Sequence, residues 1–99
     1  MSVDGERRAV RWRVRGRVQG VGFRWYTREV ARVFGDGRIV GKVRNLPDGS
    51  VEIEAAGRAE DLALFEEEIR KGPRGARVDT LEEESIAPVP AWARFEIDR

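Results

Sequence analysis

Apolar and polar residues alternate from Val10 to Val18, with Val10, Trp12, Val14, Gly16 and Val18 on one side and Arg11, Arg13, Arg15 and Arg17 on the other. A period of two predicts a strand with one buried and one polar face. From Phe23 to Phe34 the period lengthens. Phe23, Tyr26 or Thr27, Val30 and Val33 or Phe34 then fall on one helical stripe, leaving Arg28, Glu29 and Arg32 to face water. Gly35-Asp36-Gly37 stops this helix. Ile39 to Arg44 predicts a short second strand, and Asn45-Leu46-Pro47-Asp48-Gly49 a hairpin turn. In the third strand, Val51 to Ala55, Val51, Ile53 and Ala55 share one face, while Glu52 and Glu54 on the other are candidate partners for the arginine stripe.

After Gly57, the segment Glu60 to Lys71 predicts a second amphipathic helix with Leu62, Phe65 and Ile69 inside. Acids at its start, Glu60 and Asp61, and bases at its end, Arg70 and Lys71, suit the helix dipole, and Gly72-Pro73 ends it. A fourth strand is expected around Val78 to Glu84, where Val78 and Leu81 are out of phase and flank a bulge. Trp92 to Ile97 predicts a last short strand at an edge. The order β-α-β-β-α-β plus a terminal strand predicts an α+β, ferredoxin-like sandwich: an antiparallel sheet with two helices on one face and a short extra C-terminal strand.

The 99 residues suit one domain, expected over residues 1 to 99 with residues 1 to 6 as a loose N-terminus. Cysteine is absent, which removes disulfides, thiol nucleophiles and thiolate metal sites; histidine is absent too, which removes the usual general base and the commonest metal ligand. No window approaches the apolar length of a membrane span, and the chain reads as soluble and cytoplasmic. Net charge is only +1, but residues 1 to 46 hold 12 Lys/Arg against 4 Asp/Glu and residues 47 to 99 hold 7 against 14. The asymmetry is expected to close on itself by pairing across strands. RNA-recognition domains share the element order and stack bases on aromatics in the third and first strands. Here Val51-Glu52-Ile53-Glu54 offers acids instead, and the pI of about 8.3 is below the basic footprint of such domains.

The candidate chemistry lies between the first strand and the first helix, in Gly16-Arg17-Val18-Gln19-Gly20-Val21-Gly22-Phe23-Arg24. Glycines let the backbone turn sharply and approach a ligand, and amides at a helix start form a concave donor array for an anion. Gly20-x-Gly22 is not a dinucleotide fingerprint, because Trp25 occupies the place of the third glycine, and the Gly-Lys-Ser/Thr of a P-loop is missing. The glycines alone fit an ordinary strand-to-helix connection equally well. Arg24 changes that balance. A cation in the first turn faces the positive end of the helix dipole, a costly choice that a bound anion offsets, and its planar fork of donors suits phosphate oxygens. Asn45 alone is a turn residue, yet its side chain offers the donor and acceptor that positioning a water requires.

Taken together these residues are similar to the acylphosphatase family. The family's first motif, Gly-x-Val-Gln-Gly-Val-x-Phe-Arg, stands whole at Gly16 to Arg24. Its second motif corresponds to Gly41-Lys42-Val43-Arg44-Asn45 with Gly49, Val51 and Gly57. Gly72-Pro73 followed by Ala76-Arg77-Val78-Asp79 resembles the family's approach to its fourth strand, so the likeness extends over about residues 8 to 98. There are two departures. Lys42 stands where the family usually has an aromatic, which is expected to alter packing beside Asn45 or charge at the pocket rim. Asp36-Gly37-Arg38 lengthens a connection.

The resemblance implies a single acylphosphatase-like domain that hydrolyses the carboxyl-phosphate bond of small acyl phosphates to carboxylate and inorganic phosphate. It assigns phosphate binding to Arg24 with the amides of Arg17, Val18, Gln19, Gly20, Val21, Gly22 and Phe23, and the attacking water to Asn45. In the family account the substrate's own phosphate takes the water's proton. A carboxylate leaves readily and phosphoryl transfer depends on positioning and charge stabilisation, so the missing histidine is no obstacle. Neither metal nor cofactor is implied, since Arg24 and the loop amides supply the positive field. The implied partner is a small-molecule acyl phosphate, without nucleic acid or membrane, and the expected form is a monomer. The competing possibility is a catalytically silent phosphate-binding or regulatory domain, with Lys42 as the change that spoiled the site.

Overall fold

The computed structural model describes residues 6–98, so residues 1 to 5 of the expected loose N-terminus lie outside the described residues. In chain order the elements are β1 (Arg7–Arg17), α1 (Phe23–Val33), a 3-10 turn (Phe34–Gly37), β2 (Val40–Asn45), β3 (Val51–Arg58), α2 (Ala59–Lys71), β4 (Arg77–Ser85) and β5 (Phe95–Ile97). The strands form one sheet in the order β4-β1-β3-β2-β5. Among the described residues, no helix is long and apolar enough to cross a membrane.

Register explains why one face is apolar. Val10 stands opposite Ala55, Trp12 opposite Ile53 and Val14 opposite Val51, and Val43 lies opposite Ile53 from the other side. Against this face α1 covers β2 and β5, while α2 covers β3 and β4. The α2 stripe is Leu62, Phe65 and Ile69, as its periodicity predicts. Phe65 sits between Trp12 and Phe95, with ring centroids 5.6 and 5.8 Å away. In α1 the structure chooses among the residues that spacing left open: Phe23, Thr27, Val30 and Ala31 are buried, and Val33 is 66% exposed. Thr27 is accommodated because its hydroxyl donates to the Phe23 carbonyl at 2.8 Å. Tyr26 instead donates to the Glu68 carbonyl at 2.8 Å, tying α1 to α2, and its burial pushes the phenol pKa up.

The other face carries the arginine stripe, paired as the charge asymmetry leads one to expect. Arg11 reaches Glu54 and Glu84, each at 2.8 Å, and Arg44 meets Glu52 at 2.9 Å. Glu52 and Glu54 stand on the middle strand of this face, so cations on both neighbouring strands share them.

The terminal strand differs from expectation in two respects. It comprises Phe95–Ile97 alone, because Trp92 packs with Ile86 on Ala9, Val40 and Ala56 rather than pairing. It also runs parallel to β2, making the sheet mixed rather than antiparallel throughout. The physical reason is the path of the chain: residues 86–94 cross one end of the sheet, so β5 starts at the end where β4 finished.

The expected irregularity in β4 is a bulge. Arg15 pairs with Thr80 and Gly16 with Val78, leaving Asp79 as the extra residue. Gly16 at φ +134° faces this bulge so closely that a Cβ would lie 2.1 Å from the Arg77 carbonyl oxygen. Backbone strain and overpacking each cost about 1–3 kcal/mol. Gly16→Ala is therefore expected to lower unfolding free energy by ~3 kcal/mol in urea titration; a variant as stable as wild type would show that the bulge shifts freely.

Candidate active site

The connection from β1 to α1 is built from both ends. Val18 is 1% exposed and sits in the core, anchoring the start of the loop, and Val21 packs half-buried against the same core. Gly20 and Gly22 between and after them adopt φ +76° and +78°. A Cβ at either would meet no atom within 4 Å, so the demand for glycine here comes from the left-handed backbone rather than from lack of room. Gly22 caps α1 without a side chain, and no acid occupies the first turn. The first helical amide to find a carbonyl is that of Tyr26, on Gly22 at 3.0 Å. The N–H groups of Phe23, Arg24 and Trp25 are consequently left without an intrahelical acceptor.

Asn45 ends β2, and the turn behind it is held rigidly. The Ser50 hydroxyl and N–H both donate to Asp48 Oδ1, at 2.5 and 2.9 Å. These two bonds, with the nearby Arg15 guanidinium, hold the Asp48 carboxyl down to about 2. Gln19 joins the two halves of the site: its Nε2 donates to the Leu46 carbonyl at 2.8 Å and to the Ser50 carbonyl at 2.9 Å. A single amide thereby sets the position of the glycine loop relative to Asn45.

Gly20, Gly22, Phe23, Arg24, Trp25, Asn45 and Ile97 enclose a cavity of about 180 Å³. Arg24 makes no ion pair among the described residues, so its charge is free for an anion. Of the other loop residues singled out by sequence, Arg17 is exposed at the end of β1 and Val18, Gln19 and Val21 serve the core or the hairpin; none of these four lines the cavity. A larger depression of about 280 Å³ lies among Arg11, Arg13, Glu82, Glu83 and Glu84, where Arg11 is paired with Glu84. Among the described residues no group of three or more acidic side chains is placed to hold a metal ion.

A sequence model of the acylphosphatase family matches residues 10–97. The chain belongs to the acylphosphatase family. It is 44% identical over 88 residues to an acylphosphatase of Koribacter versatilis, an alignment covering 89% of this chain and 77% of that one. With an acylphosphatase of Lacticaseibacillus paracasei the identity is 45% over 85 residues, covering 85% and 88%. The crystal structure of acylphosphatase from Bacillus subtilis has the same fold, with a TM-score of 0.86 at 33% identity over 93% of this chain and 99% of that one.

The departure from the family pattern at Lys42 lies away from the cavity, contrary to the expectation that it would touch the rim or Asn45. Its ammonium is 3.7 Å from Glu54 on the outer face, and its strand neighbour Val43 points to the core. The lengthened connection becomes the 3-10 turn, with Asp36 at φ +51°. Sequence reasoning missed two residues of the acylphosphatase cavity, Trp25 and Ile97. A signal for Trp25 was present: it is a large apolar residue lying outside the helical stripe of Phe23, Thr27 and Val30.

Proposed function

We propose that this acylphosphatase-family chain hydrolyses small acyl phosphates to a carboxylate and inorganic phosphate without a metal ion. The observation that carries the proposal is the convergence of Arg24, the open amides at the start of α1 and Asn45 on one cavity. Arg24 and the amides of the loop residues that line the cavity, Gly20, Gly22 and Phe23, bind the phosphoryl oxygens, where preorganised donors stabilise the charge of the transition state. Asn45 holds a water whose oxygen attacks phosphorus. As the P–O bond to the acyl group breaks, the carboxylate leaves with the bonding electrons, and a phosphate oxygen takes the water's proton. The residues that line the cavity include neither a histidine nor a carboxylate, which supports the family account in which the substrate's own phosphate is the base. Arg24 opposite the helix dipole, with no acid beside it in the first turn, fits a site whose charge is balanced only when an anion is bound.

The test is release of phosphate from acetyl phosphate or benzoyl phosphate in the presence of a chelator. Turnover is expected with chelator present and unchanged by added Mg²⁺; dependence on Mg²⁺ would refute the metal-free mechanism. The same assay separates hydrolysis from a silent phosphate-binding domain, for which the motivating residue, Lys42, faces Glu54 across the sheet from the cavity.

A further inference from the structure

The cavity that holds Arg24 and Asn45 has a second wall. Phe23, Trp25 and Ile97 line it opposite in character to the glycine loop. Phe23 is 2% exposed and belongs to the core, but Trp25 is 59% exposed. It is among the few large apolar side chains left in water on the described surface, and it makes no ring contact with the other aromatics. Trp25 takes no part in the packing of α1, whose buried residues are Phe23, Thr27, Val30 and Ala31. Ile97 comes from β5, the strand that the crossing of residues 86–94 delivers beside β2, where it stands opposite Val43, so an apolar side chain from the far end of the chain is brought to the same cavity as Asn45.

We propose that Trp25 and Ile97 form the acyl subsite of this enzyme and select aromatic or bulky apolar acyl phosphates over acetyl phosphate. The proposal rests on the phosphohydrolase activity proposed above. With the phosphoryl group on Arg24 and the loop amides, the carboxyl-linked substituent must leave the cradle through the remaining part of the cavity, past these side chains. Trp25 directly follows Arg24 in α1, so the ring and the phosphate-binding group are carried on the same turn. An acetyl group has one methyl with which to cover this surface. A benzoyl ring covers it and stacks on the indole, an arrangement worth about two- to tenfold in binding beyond the apolar area it removes from water. Glycine loop and arginine read the phosphate and are indifferent to the acyl group, so discrimination falls to this wall.

The experiment measures kcat/KM for benzoyl phosphate and for acetyl phosphate, together with inhibition by inorganic phosphate, in wild type, Trp25→Ala, Trp25→Phe and Ile97→Ala. Comparing the ratio of the two substrates between variants cancels their different intrinsic reactivities. In Trp25→Ala the benzoyl-to-acetyl ratio is expected to fall about tenfold, mainly through a higher KM for benzoyl phosphate. Inhibition by inorganic phosphate should not change. Trp25→Phe should keep most of the preference, and Ile97→Ala should lose a smaller part of it. If wild type turns over both substrates and Trp25→Ala leaves the ratio unchanged, the acyl subsite is wrong while the hydrolase stands. A parallel loss for both substrates and for phosphate inhibition would also overturn it, showing that Trp25 supports the loop instead. If wild type turns over neither compound, the functional proposal fails and this one fails with it.

Discussion

Arg24→Ala is expected to lose at least a hundredfold to a thousandfold in kcat/KM for acetyl phosphate, roughly 2.7–4 kcal/mol of transition-state stabilisation. The estimate is that for one preorganised donor, and a guanidinium contributes charge besides. Stability should move the other way. Arg24 has no ion-pair partner among the described residues, and it opposes the dipole of α1 from the first turn. Removing it is expected to stabilise the ligand-free protein by a few tenths to ~1 kcal/mol. Loss of activity with gain of stability, read by phosphate release and thermal denaturation on the same sample, is a signature that general damage to the fold cannot imitate. Activity surviving nearly intact would remove Arg24 from its assigned role, and a destabilised variant would mean that the cation serves the fold.

Asn45→Ala is expected to cost about a hundredfold or more in turnover, with a much smaller change in inhibition by inorganic phosphate. The separation follows from the two parts of the cavity. Phosphate is assigned to the loop amides and Arg24, which the substitution leaves in place, whereas Asn45 is assigned the nucleophile. The scaffold beneath Asn45 does not depend on its side chain, because Leu46 and Ser50 are held by Gln19 and by each other through backbone carbonyls. Weakened phosphate inhibition with turnover largely preserved would make Asn45 a binding residue instead.

Much of the fold was legible because its causes are local. Alternation in β1 and the buried triad Leu62, Phe65 and Ile69 of α2 are periodicities of neighbouring residues, and the bulge at Asp79 announced itself as a phase slip between Val78 and Leu81. Elsewhere local pattern was degenerate. Tyr26 and Thr27 were both compatible with the α1 stripe, and the choice fell to Thr27 because its hydroxyl has a carbonyl within the same helix while Tyr26 finds one on α2. Lys42 illustrates a different gap. Its alternation with Val43 and Asn45 could be read along the strand, but only the position of the helices says which face looks onto the cavity and which onto Glu54.

By itself the sequence determined the α+β order of elements, the charge pairing across strands and the run from Gly16 to Arg24 as a candidate anion cradle with its candidate cation. Each of these depends on backbone preferences and side-chain spacing within a few residues. Tertiary structure decided that Gln19 clamps the cradle to the hairpin, that β5 lies parallel to β2, and that Trp25 and Ile97 complete the cavity. Those facts join residues tens of positions apart, and they follow from where the chain crosses the end of the sheet, which no local periodicity encodes.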